Sequence, residues 1–443
     1  MEIYNTLTRR KDEFVPINSP VVGMYVCGPT VYDYNHIGHA RTYLTFDLLK
    51  RFLAFNNYEV KFVQNITDVG HLVNDAESGE DKIEKKAREM EMTTKEVVAH
   101  YTEAHLKDLE DLHIEKPDVM PRPSEHIQEI IDFIQDLIDK GYAYVTPRNN
   151  VYFNVVKKPD YGKLSGRGLM DIITGTRIEP ANDKHSKADF ALWKAAPLSS
   201  QEMIWDSPWG KGYPGWHIEC SVMSQKYLGD TFDIHGAAIE LVFPHHENEI
   251  AQSETHNDKS MAKYWVHSGM LTIKGEKMSK SLHNTLTIQD ALKEYSANEI
   301  RLALYSTYYR RPFDYTKEVM EQGVALRKKL FGAFDNLTKN TNKDTWGRMI
   351  KALEDDLNTP EALSIWSANV ENINWEDTEK LLNIFGLVYP KIEDNPKAKQ
   401  LADDREEARA KNDFLTADNR KAELYQMGFE VIDSSSGTVY LPR

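Results

Sequence analysis

A short apolar run that stops at Gly28-Pro29 constrains this chain's fold more than any other feature. Residues 21–29 read as a buried strand. A helix then opens near Gly38 and places Leu44, Leu48, Leu49 and Phe52 on one face, an apolar stripe of helical period. Tyr58 to Thr67 reads as a second strand. Strand, glycine-bearing loop, helix, strand is the opening of a parallel α/β sheet. Such sheets bind ligands beyond the carboxyl ends of their strands, so chemistry is expected around Cys27 and Thr67.

Residues 70–115 are highly charged and read as helical. Ser124 is placed to cap an amphipathic helix carrying Ile127, Ile130, Ile131, Ile134, Leu137 and Ile138, which Gly141 stops. Residues 142–200 mix short strands with turns. Segment 116–200 therefore reads as an insertion between two halves of the sheet domain. The α/β pattern resumes at Phe232–Gly236, Pro244 suits the first turn of a helix, and Ala262–Gly269 reads as another strand. From about 295 to 390 the pattern is helical, broken at Arg310-Arg311-Pro312, with Thr359 placed as a cap before Pro360. The tail reads as one helix through Arg405 to Met427, then a strand pair around Ser434–Gly437.

The chain has 443 residues, a net charge of −15 and two cysteines. That charge argues against a nonspecific nucleic-acid coat and against DNA binding, and leaves room for one RNA gripped by local basic patches. No membrane-length apolar run is present. Met1–Asn5 has neither the basic region nor the apolar run of a signal peptide, so a cytoplasmic protein with reduced thiols is expected.

Both cysteines lie in short motifs, Cys27-Gly28-Pro29 and Gly215-Trp216-His217-Ile218-Glu219-Cys220. Further on comes Pro244-His245-His246-Glu247-Asn248-Glu249. His245 and Glu249 are one helical turn apart and share a face. Two sulfurs, one nitrogen and one oxygen suit tetrahedral zinc. His246 and Glu247 are rival ligands that spacing leaves open. Free cysteines are commonly small buried hydrophobes, and a His/Glu run is often a solvated helix face.

His36-Ile37-Gly38-His39 places two imidazoles around a helix start, where backbone N–H groups favour phosphate. Lys277-Met278-Ser279-Lys280-Ser281 adds movable positive charge. A substrate carboxylate is already ionised at neutral pH and attacks an α-phosphate unaided, so such a site works by positioning and charge stabilisation.

Together these motifs resemble the class I aminoacyl-tRNA synthetases, and within them the cysteinyl-tRNA synthetase family. The likeness also rests on Asn65-Ile66-Thr67-Asp68 and on Asp404–Arg409 in the tail. It implies a Rossmann-type parallel-sheet catalytic domain in two halves, 1–115 and 200–262, split by an insertion at 116–199. A linker at 263–310, a helical bundle at 311–390 and a small mixed α/β anticodon-binding module at 391–443 follow. The resemblance implies zinc held by Cys27, Cys220, His245 and Glu249. It places Gly28, Thr67 and Trp216 near L-cysteine, and Thr30, Gly38, His39 and Lys280 at ATP with its Mg²⁺. His36, His39, Lys277 and Lys280 would be catalytic, and the RNA would be tRNA(Cys). The chain departs from the family pattern at Val69-Gly70-His71, where an acidic pair is common, and at Gly236-Ala237-Ala238, where glycines are common.

Serine is nearly isosteric with cysteine, and a plain pocket rejects so small a difference by only roughly a hundredfold. A thiophilic metal that ligates the substrate's sulfur is the expected solution. Two rival readings share these motifs: a cysteine ligase that acylates a sugar amine, and a zinc-bearing RNA-binding protein without activity. The tail module counts against the first. Intact His36, His39, Lys277 and Lys280 count against the second.

Overall fold

A computed structural model of the chain describes residues 1–69, 81–175, 183–196, 202–278, 285–390, 395–434 and 437–442. Gly70, His71, Lys280 and Ser281 lie outside the described residues. Two compact units are present. One comprises Met1–Leu271, Met278–Gln289 and Arg310–Pro312; the other comprises Thr272–Lys277, Asp290–Tyr309 and Phe313–Arg443.

The first unit is built on a four-stranded parallel sheet. Its spatial order is Ala262–Ser268, Phe232–Ala238, Val21–Val26, Glu59–Gln64. The Val21–Val26 strand has its chain successor on one side and a much later strand on the other. That reversal opens a crevice at the carboxyl ends of Val21–Val26 and Phe232–Ala238. Met24, Tyr25 and Val26 are fully buried, as in a sheet covered on both faces. The first long helix spans Ile37–Phe55 and buries Leu44, Leu48, Leu49 and Phe52. Within the charged 70–115 stretch, helices occupy Lys82–Met90, capped by Asp81, and Thr94–Asp111, capped by Thr93.

An antiparallel sheet of Ala143–Val145, Val151–Phe153 and Phe190–Ala195 in the insertion and Gly212–Pro214 just beyond it shares a core with the helix Ile127–Asp139. Gly141 follows that helix at φ +76°. Ser124 is not its cap; His126 holds that position. The Ser124 hydroxyl and N–H instead donate to the Asp68 carboxylate, at 2.6 and 3.1 Å. Pro244 likewise sits at the cap, one residue before the helix His245–Asn257.

Most of the second unit is helical, with Ala297–Tyr305, Lys317–Gly332, Lys343–Glu354, Thr359–Ala368 and Trp375–Phe385. Asn358, not Thr359, caps its helix. Thr359 is the first helical residue, and its hydroxyl donates to the Tyr305 carbonyl at 2.7 Å. The tail holds two helices where one is expected, Pro396–Ala410 and Phe414–Gln426. Asn412 at φ +58° breaks the run, and Asp413 caps the second helix. Phe429–Ser434 and Gly437–Pro442 pair antiparallel.

Candidate active site

Cys27 follows the first strand of the parallel sheet, and its N–H donates to the Gly236 carbonyl at 3.0 Å. Cys220 sits in the second turn of the helix Trp216–Leu228. His245 and Glu249 share a face of the helix His245–Asn257, with Nε2 and Oε1 2.9 Å apart. One ligand atom from each of these four buried residues lies within 4.8 Å of the others. A second group, Cys27, His235, His246 and Glu249, meets the same criterion and shares two members. The donor chemistry fits a thiophilic cation: soft sulfur, borderline imidazole and one carboxylate, sealed from water. Among the described residues, His235 Nδ1 at this site is buried without a hydrogen-bond partner.

Protonation is arranged unevenly across the group. Burial, with the Cys220 sulfur and Glu249 close by, pushes the Cys27 thiol up. A hydrogen bond from Cys27 outweighs burial and, with His245, brings Cys220 down to about 6. Burial disfavours a charged His245, but Glu249 and Cys220 hold it up at about 10. Burial would raise Glu249, yet His235 and His245 bring it to about 2. One thiol of this pair and the His245 imidazole are thus held toward their protonated forms by their neighbours, and both protons must leave before all four groups can bind a cation. Zinc requires deprotonated ligands. Loading metal-free protein is expected to release about two protons at neutral pH. Calorimetry in buffers of different ionisation enthalpy measures this, and zero release would contradict this ligand set.

Around the four stand residues of the same motifs, Trp216, His217, His246 and Asn65, together with His235 and His267, which no motif marks. His217 Nδ1 lies 2.8 Å from His245 Nδ1, and the Trp216 ring packs on His245 with centroids 4.5 Å apart. His235 Nε2 lies 2.7 Å from Glu249 Oε2. His246 lies 3.3 Å from the Cys27 sulfur and 2.9 Å from His267 Nε2. Asn65 ties together the candidate cysteine-binding residues: its Oδ1 accepts from Gly28 N–H, and its Nδ2 donates to Thr67 Oγ1, both at 2.9 Å. Thr30 pairs with Thr67 across the two strand ends.

Glu247, one of the rival ligands, points elsewhere. Its buried carboxylate accepts from the backbone N–H groups of Gly162 and Ser165, each at 2.9 Å. Tyr161 donates to Asn248, so two successive residues of this helix fasten the insertion loop. Glu247→Gln turns an amide toward those N–H donors and is expected to cost about 2–3 kcal/mol of stability. A lowered thermal midpoint with zinc retained is the predicted readout.

At the second motif, the His36 and His39 rings stack with centroids 3.8 Å apart. His36 N–H donates to His39 Nδ1 at 3.1 Å. Burial, and then His36 and His105, hold the His39 pKa well below the usual range. His39 is thus neutral at pH 7, with its proton on Nε2, since Nδ1 accepts from the His36 N–H. Met278 lies against the motif, its methyl 3.0 Å from where a Cβ on Gly38 would stand. Thr287 bridges His36, with Ile37 N–H donating to the Leu286 carbonyl at 2.9 Å and Ile288 N–H to the Asn35 carbonyl at 3.0 Å. Lys277 is exposed at the end of a two-stranded hairpin, pairing with Thr272.

A class I synthetase domain accounts for this fold and site. The family model described as the class I (C) tRNA synthetase catalytic domain matches residues 13–325. The methionyl-tRNA synthetase of Mycobacterium tuberculosis, solved in complex with methionyl-adenylate, shares the fold with a TM-score of 0.59. Identity is 13%, covering 82% of this chain and 84% of that one. Among curated proteins, "Cysteine--tRNA ligase" of Coxiella burnetii (strain Dugway 5J108-111) is 42% identical over 99% of both chains. That of Thermococcus onnurineus (strain NA1) is 39% identical over 99% of this chain and 98% of its own. The chain belongs to the cysteine–tRNA ligase family.

Proposed function

We propose that this chain joins L-cysteine to tRNA(Cys) in two steps. A carboxylate oxygen of cysteine attacks the α-phosphorus of ATP, and the bond to pyrophosphate breaks. A hydroxyl of the 3′-terminal ribose then attacks the acyl carbon of cysteinyl-adenylate, loses its proton and displaces AMP. The observation that carries this reading is the buried group of two sulfurs, an imidazole and a carboxylate in the sheet's crevice. It occurs in a chain that matches Cysteine--tRNA ligases along 99% of its length.

In this reading Cys27, Cys220, His245 and Glu249 hold zinc, which supplies a thiophilic Lewis acid that prefers the substrate's sulfur to a serine hydroxyl. His217 and His235 orient the ligands from outside, as such partners commonly do. Gly28, Thr67 and Trp216 surround the amino and carboxyl groups. His36 and the neutral His39 donate N–H to the phosphates at the helix start, Thr30 and Gly38 border the nucleotide, and Lys277 and Lys280 offset the growing charge alongside Mg²⁺. Segments 116–199, 263–310 and 311–390 serve as insertion, linker and bundle, and 391–443 as the anticodon reader. The site of action is the cytoplasm. Among the described residues no helix is long and apolar enough to cross a membrane.

The test combines metal analysis with cysteine-dependent exchange of pyrophosphate into ATP and transfer of labelled cysteine to total tRNA. One zinc per chain, exchange and transfer are expected. Exchange without transfer to tRNA would point to a small amine acceptor and overturn the second step.

A further inference from the structure

A buried polar chain lies beneath the His36–His39 turn, made of residues other than those assigned above to zinc, cysteine or ATP. Asn35 immediately precedes His36. Its Nδ2 donates to His105 Nδ1 at 3.0 Å and to Asp108 Oδ2 at 2.9 Å. Gln289 Nε2 donates to Asp108 Oδ1 and to Asp111 Oδ2, both at 2.8 Å. Asp108 thus receives one amide on each oxygen, and each amide uses both of its protons. Only an acceptor-only side chain can do this; a carboxamide at 108 would present its own N–H₂ to one of the two donors. Asp108 is 2% exposed and His105 1%, so the bonds are shielded from competing water.

The side chains repeat a join already made by the backbone. Asn35 and Ile37 pair with Ile288 and Leu286 around the His36–Thr287 bridge. A bare two-bond bridge is a weak staple. With Asp108 taking Asn35 from one segment and Gln289 from the other, both segments are referenced to the helix Thr94–Asp111. The simpler account is a cluster that only stabilises the fold. Against it stands location: one end of the network is the residue that sets the backbone of His36.

We propose that Asp108 is a positioning residue for the ATP step, locking the Asn35–Ile37 segment to Leu286–Gln289 so that the His36 and His39 imidazoles meet the phosphates in register. This rests on the functional reading above.

The test uses the full-length zinc-loaded protein. Pyrophosphate exchange is compared with single-turnover transfer to tRNA, with zinc content and thermal midpoint as controls. Asp108→Asn is expected to lower the exchange rate by about 100-fold, the cost of roughly 1 Å of misplacement, with KM for cysteine and zinc content unchanged and transfer little affected. Asn35→Asp alone is expected to do the same. The double variant exchanges donor for acceptor: the carboxylate at 35 accepts from the amide at 108, the amide oxygen accepts from Gln289, and His105 shifts its proton to Nδ1. Exchange should then return to within about tenfold of wild type. Gln289→Met, at a partly exposed position, is the milder probe should Asp108→Asn not fold, with an expected loss of about tenfold. A folded single variant that exchanges like wild type, equal losses in both half-reactions, or a double variant no better than its worse parent overturns the proposal. Wild-type protein without any cysteine-dependent exchange would instead remove the functional reading, and this role with it.

Discussion

Cys220→Ser is expected to cost on the order of a thousandfold in kcat/KM for cysteine and to strip most of the zinc. Cys220 is the thiol whose pKa its neighbours draw down, to about 6, through Cys27 and then His245. A serine hydroxyl at that position stays protonated at neutral pH and is a hard, weak ligand. Losing an outer-sphere partner of a metal site typically costs 10–100-fold in affinity or activity, so a ligand should cost more. The preference for cysteine over serine should fall toward the roughly hundredfold that shape alone permits. Glu249→Gln separates two roles for the metal. If zinc only braces the fold, that variant loses stability and keeps its preference for cysteine. If zinc selects the substrate, the preference falls with it. Parallel measurement of exchange with both amino acids, zinc content and thermal midpoint decides between them.

The sheet was legible because its signals are local. Val21–Val26 is an uninterrupted apolar run, and the stripe from Leu44 to Phe52 has helical period. The four-residue group was within reach of the sequence because His245 and Glu249 are one turn apart and both cysteines lie in short motifs, while His246 and Glu247 stayed open until the resemblance chose among them. Of the surrounding histidines, His217 and His246 stand in those motifs, whereas His235 and His267 carry no local signal. His235 stands in an apolar strand and reads as an ordinary core residue. Its role depends on Glu249, which only the fold brings to 2.7 Å. His267 and Thr6 are 261 residues apart in sequence and 2.7 Å apart in space. Spacing also left Glu247 open as a ligand. Its actual partners are backbone N–H groups of a loop more than 80 residues earlier, which carry no side-chain signature.

The misplaced helix ends have a similar cause. Ser124 has the chemistry of a cap, but Asp68 competes for its hydroxyl and wins with two hydrogen bonds. Thr359 loses the cap to Asn358, whose side chain accepts from the Glu361 N–H. In the tail, apolar residues on both sides of Asn412 keep helical spacing. Only the left-handed backbone there shows that the helix is interrupted.

Gly28→Ala should be the most damaging substitution among the small residues of the site. A Cβ at Gly28 would stand 1.7 Å from the Asn65 carbonyl oxygen and 2.8 Å from its carbon. Both are backbone atoms just past the strand Glu59–Gln64, in a segment held on by the Ile66 N–H donating to the Pro121 carbonyl at 2.9 Å, so neither can swing aside. Relief requires the two strand ends to part by more than an ångström. That would break the Gly28–Asn65 hydrogen bond, turn Asn65 away from Thr67, and move Cys27, the next residue back. Displacement of about 1 Å at a reacting centre costs roughly a hundredfold, and here the proposed zinc ligand and the proposed cysteine-binding residues move together. Gly38→Ala provides the contrast. Its Cβ would meet the His36 ring at 2.9 Å and the Met278 methyl at 3.0 Å, both side-chain atoms that can shift. That variant should keep its zinc and its KM for cysteine, and lose in KM for ATP, because the disturbed groups are those at the proposed phosphate-binding turn. Gly28→Ala should lose zinc, thermal stability and cysteine activation together. Zinc content and the two Michaelis constants, measured side by side, test the ordering. A Gly28→Ala protein with full zinc and unchanged cysteine activation would show that these strand ends yield in a way their backbone geometry does not permit.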